Sequence, residues 1–282
     1  MRKIIDYLFK NYNNLFPISD IEAWIKYPNY NVIYNKLQLA ELQGLDCAPI
    51  PVYPNTYPIV IKPIINLYGM SRGFYKINNK DEYKTLLNKN NLSGYFWETY
   101  LSGDQFNIDI IFKNGRIIKY FALKSKPEKE GIFKYHKYID NYKLDENIIN
   151  ILEQILDDYT GFLNIELIDG FIIEAHLRLN GDFFIFNEKH IDSFVNFIKT
   201  KKYIDIPINP VTFFPIFITD TTKHYEGIGK YLEQNKNCLV DFYKEDIHQL
   251  SQGDKYKRCY YFIINDFKKG LKIQQYIYQN LI

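Results

Sequence analysis

Between Gly161 and Asp182 the chain reads GFLNIELIDGFIIEAHLRLNGD. Leu163, Ile165, Leu167, Ile173, Ala175 and Leu177 are apolar and odd-numbered, whereas Asn164, Glu166, Glu174, His176 and Arg178 are polar and even-numbered. Side chains alternate across a strand, so this pattern predicts two strands, 162–168 and 171–178, each with one apolar and one polar face. The apolar rows must share a core, which forces the polar rows onto one common face. A two-residue Asp-Gly turn would set Glu166 and Glu174 on opposite faces. The pattern therefore predicts a loop with an odd number of residues, with Gly170 in a left-handed bulge. Two carboxylates, an imidazole and a guanidinium side by side need charge compensation. A divalent cation with a polyphosphate would supply it, with carboxylates on the metal and Arg178 facing a phosphate or a substrate carboxylate. An ordinary half-exposed hairpin with a solvated charged face shows the same alternation.

Several elements must position this hairpin. Residues 1–30 read as a short helical lead-in, apolar at Ile4, Ile5, Leu8 and Phe9. NKLQLAELQG (35–44) predicts a helix ending at Gly44, IVIK (59–62) a short strand, GFYKI (73–77) another, and Asn79 with Glu82 the capping-box start of a helix over 80–89. In QFNIDIIF, Gln105, Asn107 and Asp109 alternate with Phe106, Ile108 and Ile110, and Asn114-Gly115 supplies a hairpin turn. The polar stretch from Lys124 to Asn141 reads as a mobile loop. Asp145 caps a helix running toward Gly161, a further helix spans 191–199, and beyond the proline-spaced PINPVTFFP lies a tail of α/β appearance. The class is α+β with antiparallel strands.

Composition narrows the function. Hydrophobic residues make up 46% and charged residues 24% of 282, the globular range. The 26 Tyr and 21 Phe, with abundant Lys, Asn and Ile, are the residue types that AT-rich codons encode. A net charge of +2 offers no broad basic face for a phosphate backbone, so no nucleic-acid partner is expected. Cys47, Cys238 and Cys259 are scattered and odd in number, which suits a reducing compartment. Asp6 and Lys10 interrupt the first apolar stretch, and no run approaches a membrane span. A soluble, cytoplasmic protein with no membrane partner is expected.

Several of these segments, in this order, resemble the ATP-grasp superfamily over residues 33–187. In that family two α+β lobes with antiparallel sheets clamp ATP, and acidic residues of the second lobe hold Mg²⁺. A typical ending there, an acidic strand followed by Glu-x-Asn-x-Arg, is matched by Glu166 and then Glu174-Ala-His176-Leu-Arg178. WETYLSGDQFNIDII resembles the connection between lobes: Glu98 opens it, Thr99, Tyr100 and Leu101 would read adenine through the backbone, and Gln105 stands where an acid binds ribose. IVIKP resembles the strand whose lysine, here Lys62, contacts phosphate. NKLQLAELQG resembles the helix carrying an earlier phosphate lysine, here Lys36. GMSRG, with Gly69, Ser71, Arg72 and Gly73, resembles the glycine-rich loop over the phosphates.

The resemblance implies segments 1–32 (a reduced pre-grasp region), 33–97 (first lobe), 98–190 (second lobe with the metal site) and 191–282 (an α/β extension for substrate or interaction). It implies ATP as cofactor with Mg²⁺ at Glu166, Glu174 and His176. Because His replaces the usual Asn, Mn²⁺ is an alternative. A small carboxylate would be joined to an amine, or to a thiol, through an acyl-phosphate, with Lys36, Lys62 and Arg178 as catalytic groups and Lys124, Lys126, Lys134 and His136 as a lid. Oligomeric state stays open, a homodimer being one option. His176, Gln105 and the short region before the grasp leave a second reading in place, a nucleotide-binding scaffold or regulator without turnover.

Overall fold

Local sequence explains where each element starts. In the computed structural model, which describes residues 7, 12, 15–68, 73–129, 132–180, 185–218, 225–244 and 257–282, helix α1 (Asp20–Lys26) begins where the Ser19 side chain accepts from the Glu22 N–H. A 3₁₀ turn, Pro28–Tyr34, follows, with proline at its first position. Helix α2 (Lys36–Leu42) is capped by Asn35, which accepts from the Gln38 N–H. Of the predicted lead-in helix, Ile4, Ile5, Leu8 and Phe9 lie outside the described residues.

The chain divides into two compact units, Met1–Ala122 with Asn141–Ile206, and Leu123–Asp140 with Pro207–Ile282. The first unit holds a four-stranded antiparallel sheet of β1 (Cys47–Pro49), β2 (Ile59–Pro63), β3 (Tyr75–Ile77) and β4 (Tyr95–Thr99), in the order β1-β4-β2-β3. Helix α3 (Lys80–Lys89) starts at Asn79 as predicted, and its Tyr83 packs with Ile59, Ile61, Ile77, Leu92 and Trp97 in one apolar cluster.

The same unit contains β5 (Gln105–Lys113), the first half of β6 (Arg116–Lys129), α4 (Glu146–Ile155), β8 (Gly161–Ile168), β9 (Phe171–His176) and α5 (Glu188–Thr200). Asn114 and Gly115 both have positive φ, 49° and 74°, which makes the β5–β6 connection the two-residue turn that Asn-Gly favours. Strands β5, β8 and β9 lie side by side and antiparallel. Beneath them Ile108, Ile110, Leu163, Ile165, Leu167, Ile172, Ala175 and Leu177 form the core with Ala23 of α1, Leu39 of α2, and Ile148 and Leu152 of α4.

The second unit corrects one expectation outright. Most of the expected 124–141 loop is strand: β6 continues to Lys129 and is followed by β7 (Ile132–Ile139). Only Ile132 and His136 of β7 are buried, so its Lys and Tyr content hid the alternation. Within the unit, β7 pairs with β10 (Thr212–Ile218), β10 with β12 (Lys257–Ile264), and β12 with β11 (Asp241–Lys244). Helices α6 (Tyr225–Gln234) and α7 (Phe267–Asn280) cover this sheet, with Ile228, Leu232, Ile273 and Ile277 packed on Phe214, Ile216 and Phe262. Strand β10 includes Pro215, part of the proline-spaced PINPVTFFP that gave no strand signal. The proline is tolerated because the β7 pairing ends at Phe213, so no donor is needed there on that side. Among the described residues no helix is long and apolar enough to cross a membrane.

Candidate active site

The β8–β9 hairpin brings Glu166 directly opposite Glu174 and Asn164 opposite His176. The shared polar face is therefore present, but it is produced differently from the expectation. Asp169 and Gly170 have φ of 52° and 83°, a two-residue turn in which Ile168 pairs with Phe171. Continued unbroken, that register would place Glu166 opposite Ile173. A β-bulge between Glu166 and Leu167 leaves Ile173 without a partner and restores the pairing of the two carboxylates. Ile173 accordingly leaves the core and Ile172, 1% exposed, takes its place.

The bulge also frees a carbonyl for Lys62. Strands β2 and β4 pair with Val60 opposite Glu98, so Lys62, two residues on and on the same face, reaches Glu98 diagonally. Its ammonium nitrogen lies 2.7 Å from Glu98 Oε1 and donates to the Ile173 oxygen at 3.0 Å. Lys36, at the first turn of α2, makes a 2.7 Å ion pair with Glu174. At the far end of that helix the Gln43 amide pairs with both backbone groups of Ile172, which closes the exposed edge of β9 and fixes Lys36 over it.

On the other side of Glu174 stands His176. Its Nε2 is 4.0 Å from Glu174 Oε1, and its Nδ1 is 3.0 Å from Oδ1 of Asp20. Arg178 grips the same aspartate through Nε at 2.9 Å and Nη2 at 2.8 Å, and its Nη1 donates to the Leu179 oxygen. Burial alone would raise the Asp20 pKa, but the bond to His176 and the charge of Arg178 outweigh it and lower it to about 2. Beyond Glu166 the polar row continues through β5. Asn107 donates to Glu166 at 3.5 Å, Asn164 donates to Asn107 and Asp109, and Asn180 donates to both through its side chain and backbone.

The two facing carboxylates differ. Burial and the charge of Glu174 push the Glu166 pKa up, while His176 and Lys36 overcome burial to hold that of Glu174 down. A raised folded-state pKa means the native chain binds more protons than the unfolded one, so Glu166 lowers stability as pH rises above the ordinary carboxylate range. Glu166→Gln is expected to stabilise the ligand-free protein, by more around pH 8 than near pH 4.5. Urea melts of both proteins at the two pH values check this, and an equal difference at both would show that Glu166 is not strained by its neighbour.

The remaining expected site residues fall as follows. Thr99 and Tyr100 follow Glu98, but their N–H groups bond the Asp46 and Pro58 oxygens at 2.9 and 3.1 Å. The next residue, Leu101, makes no hydrogen bond through its N–H among the described residues. Gln105 opens β5 opposite Ile168. Gly73 has φ 77° and a Cβ there would stand 2.4 Å from the Tyr95 hydroxyl oxygen, so glycine is required for packing. Gly69, Ser71 and Arg72 lie outside the described residues. His136 is not a free lid residue: it is buried in its own unit, with Nδ1 2.8 Å from Ser125 Oγ.

Asp20 was missed because no motif joins it to His176 across 156 positions of sequence. The Asn107–Asp109 row did leave a signal, since Asn107 and Asp109 alternate with Phe106, Ile108 and Ile110 as Asn164 and Glu166 alternate with their apolar neighbours.

Two antiparallel sheets and two short helices thus contribute one cluster of acidic and basic side chains. No protein-family model matches the chain. A D-alanine–D-alanine ligase of Petrotoga mobilis is 29% identical over 154 residues, 54% of this chain and 49% of that protein, so the chain spans about half the length of this curated relative. An L-amino acid ligase from Bacillus licheniformis superposes with a TM-score of 0.60 at 12% identity, over 88% of this chain and 71% of the other. A carboxyaminoimidazole ribonucleotide synthase from Aspergillus clavatus, solved with ATP, superposes with a TM-score of 0.57 at 12% identity, over 88% and 73%. The chain has the ATP-grasp fold, α+β with antiparallel sheets.

Proposed function

We propose that this protein is an ATP-dependent ligase that activates a carboxylate as an acyl-phosphate and joins it to an amine. The observation that carries the reading is the meeting of Lys36 of α2, Lys62 of β2, and Glu166, Glu174 and His176 of the β8–β9 hairpin within one unit. The ligase names of the relatives support it. In this reading the lobes are residues 33–97 and 98–190, with residues 123–140 belonging instead with 207–282 in the second unit.

The adenine would take the backbone of Glu98 to Leu101, where Leu101 has an N–H free to donate and Gln105 is placed to meet the ribose. Lys36 and Lys62 would exchange their carboxylate partners for phosphate oxygens. The donor set fits a divalent cation. One ligand atom from each of Glu166, Glu174 and His176 lies within 4.8 Å of the others, and the raised Glu166 pKa marks negative charge in need of a counter-ion. What such a cation supplies is neutralisation of the phosphate oxygens without a proton to manage.

A substrate carboxylate oxygen then forms a bond to the γ-phosphorus as the bond to the β–γ bridging oxygen breaks and ADP leaves. Lys36 and Lys62 stabilise charge developing on the transferred group. Arg178, which keeps N–H groups on both terminal nitrogens beyond its bonds to Asp20 and Leu179, would border the acyl-phosphate. An amine nitrogen finally bonds to the acyl carbon, phosphate departs and the amine loses a proton. The retained Glu166, Glu174, Lys62 and Arg178 favour turnover over a silent scaffold.

ATP or ADP at millimolar concentration with Mg²⁺ or Mn²⁺ is expected to raise the melting temperature, because a ligand bound only by the native state stabilises it by mass action. ADP release with panels of small acids and amines identifies the substrates. A flat melting curve in every nucleotide and cation combination would remove the proposal.

A further inference from the structure

Asp20 belongs to neither sheet and has no part in the scheme above. We infer that Asp20 is a positioning residue that presents His176 Nε2 as a nitrogen ligand, so that the proposed cation site favours a divalent ion accepting imidazole, such as Mn²⁺, over Mg²⁺. The inference rests on the cation site proposed above.

Three observations carry it. First, Arg178 holds both oxygens of Asp20 at 2.9 and 2.8 Å, and a carboxylate gripped in this bidentate way is an acceptor only. The contact of 3.0 Å between Asp20 Oδ1 and His176 Nδ1 therefore has its hydrogen on Nδ1. With Nδ1–H committed to Asp20, Nε2 is the ring nitrogen left to offer its lone pair to a cation. Second, Nε2 points toward Glu174, at 4.0 Å from Oε1. That is too long for a hydrogen bond. It lies within the roughly 3–4 Å that separates two ligand atoms of one cation when each is about 2.1 Å from it. Third, the aspartate is buried behind the ring, 4% exposed, and Tyr34 donates to it at 3.4 Å while accepting from the Leu177 N–H, so the pair has little freedom to turn. A carboxylate behind a ligating histidine fixes ring orientation and increases ligand basicity. Mg²⁺ takes oxygen ligands, whereas imidazole suits the later divalent metals.

The test uses the full chain with Mn²⁺ alone. Electron paramagnetic resonance titration gives the affinity, and electron spin-echo modulation reports a directly bound ¹⁴N nucleus. Wild type is expected to bind Mn²⁺ with ¹⁴N modulation, and His176→Asn to bind it without that modulation. Asp20→Asn is expected to lose about tenfold in Mn²⁺ affinity and clearly less in Mg²⁺ affinity measured by competition. Asp20→Ala, where it folds, should lose more. Mn²⁺ bound by wild type without ¹⁴N modulation overturns the inference and leaves the cation site standing. Unchanged Mn²⁺ affinity and modulation in Asp20→Asn overturn the role of Asp20. Absence of Mn²⁺ binding by wild type, with or without ADP, removes the cation site and the inference together.

Discussion

Asp20→Ala is expected to lower folding stability by about 3–5 kcal/mol, the usual cost of removing one partner from a buried ion pair. Its carboxylate is 4% exposed and serves two groups at once, the Arg178 guanidinium and the His176 ring. His176 stays buried and Arg178 half-buried after the exchange, each without its carboxylate acceptor. The loss has a pH signature whose sign is fixed. Asp20 titrates at about 2 in place of its ordinary 3.8, so its contribution is complete above the unfolded value and disappears as pH falls toward 2. The shift corresponds to about 2 kcal/mol at 1.36 kcal/mol per pKa unit. Urea unfolding from pH 7 down to pH 2 should show wild type losing this increment and the variant lacking it. A loss below about 1 kcal/mol at pH 7 would mean that the pair behaves as a solvated surface contact.

Lys62→Met combined with Glu98→Gln is expected to lower ligase turnover by about 10²–10³, the range found when one charge-stabilising donor is removed from a transition state. The single exchange is less informative, because the structure alters the simple view of Lys62 as a cleft-facing strand lysine with little packing. Glu98 is 3% exposed and lies 2.7 Å from the ammonium. Lys62→Met alone would strand that carboxylate and destabilise the fold by several kcal/mol. Neutralising both members keeps the shape and removes the strand, so activity and stability separate. Single-turnover ADP formation, beside thermal melts with and without nucleotide, gives both quantities. Wild-type turnover in the double variant would remove Lys62 from the phosphate site.

The polar row of the β8–β9 hairpin was legible because strand alternation is a local property with a period of two. Glu166, Glu174 and His176 could therefore be placed on one face from the amino-acid order alone. The turn that achieves it was not legible. Asp169-Gly170 suits a two-residue turn by its own chemistry, and a bulge satisfies parity just as well as a longer loop. Local capping signals at Asn35, Asn79 and Asp145 predicted helix starts, since each cap is decided within three residues. Strands β7 and β10 were obscure for the opposite reason. One carries Lys and Tyr at half-exposed positions and the other a proline, and both depend on neighbours distant in sequence. Asp20 shows the limit most clearly: an N-terminal aspartate of a short helix is an ordinary capping-region residue until tertiary packing sets it behind His176.

The unpaired Ile173 makes the length of this hairpin a discrete quantity. Removing that one residue would join the strands in the unbroken register of the turn, with Glu174 still opposite Glu166 and His176 opposite Asn164, so every side chain would keep its face. It would also withdraw the carbonyl that anchors Lys62. Deleting Ile173 is therefore expected to spare the fold and the shared polar face while loosening Lys62, two effects that thermal melts with and without nucleotide would separate.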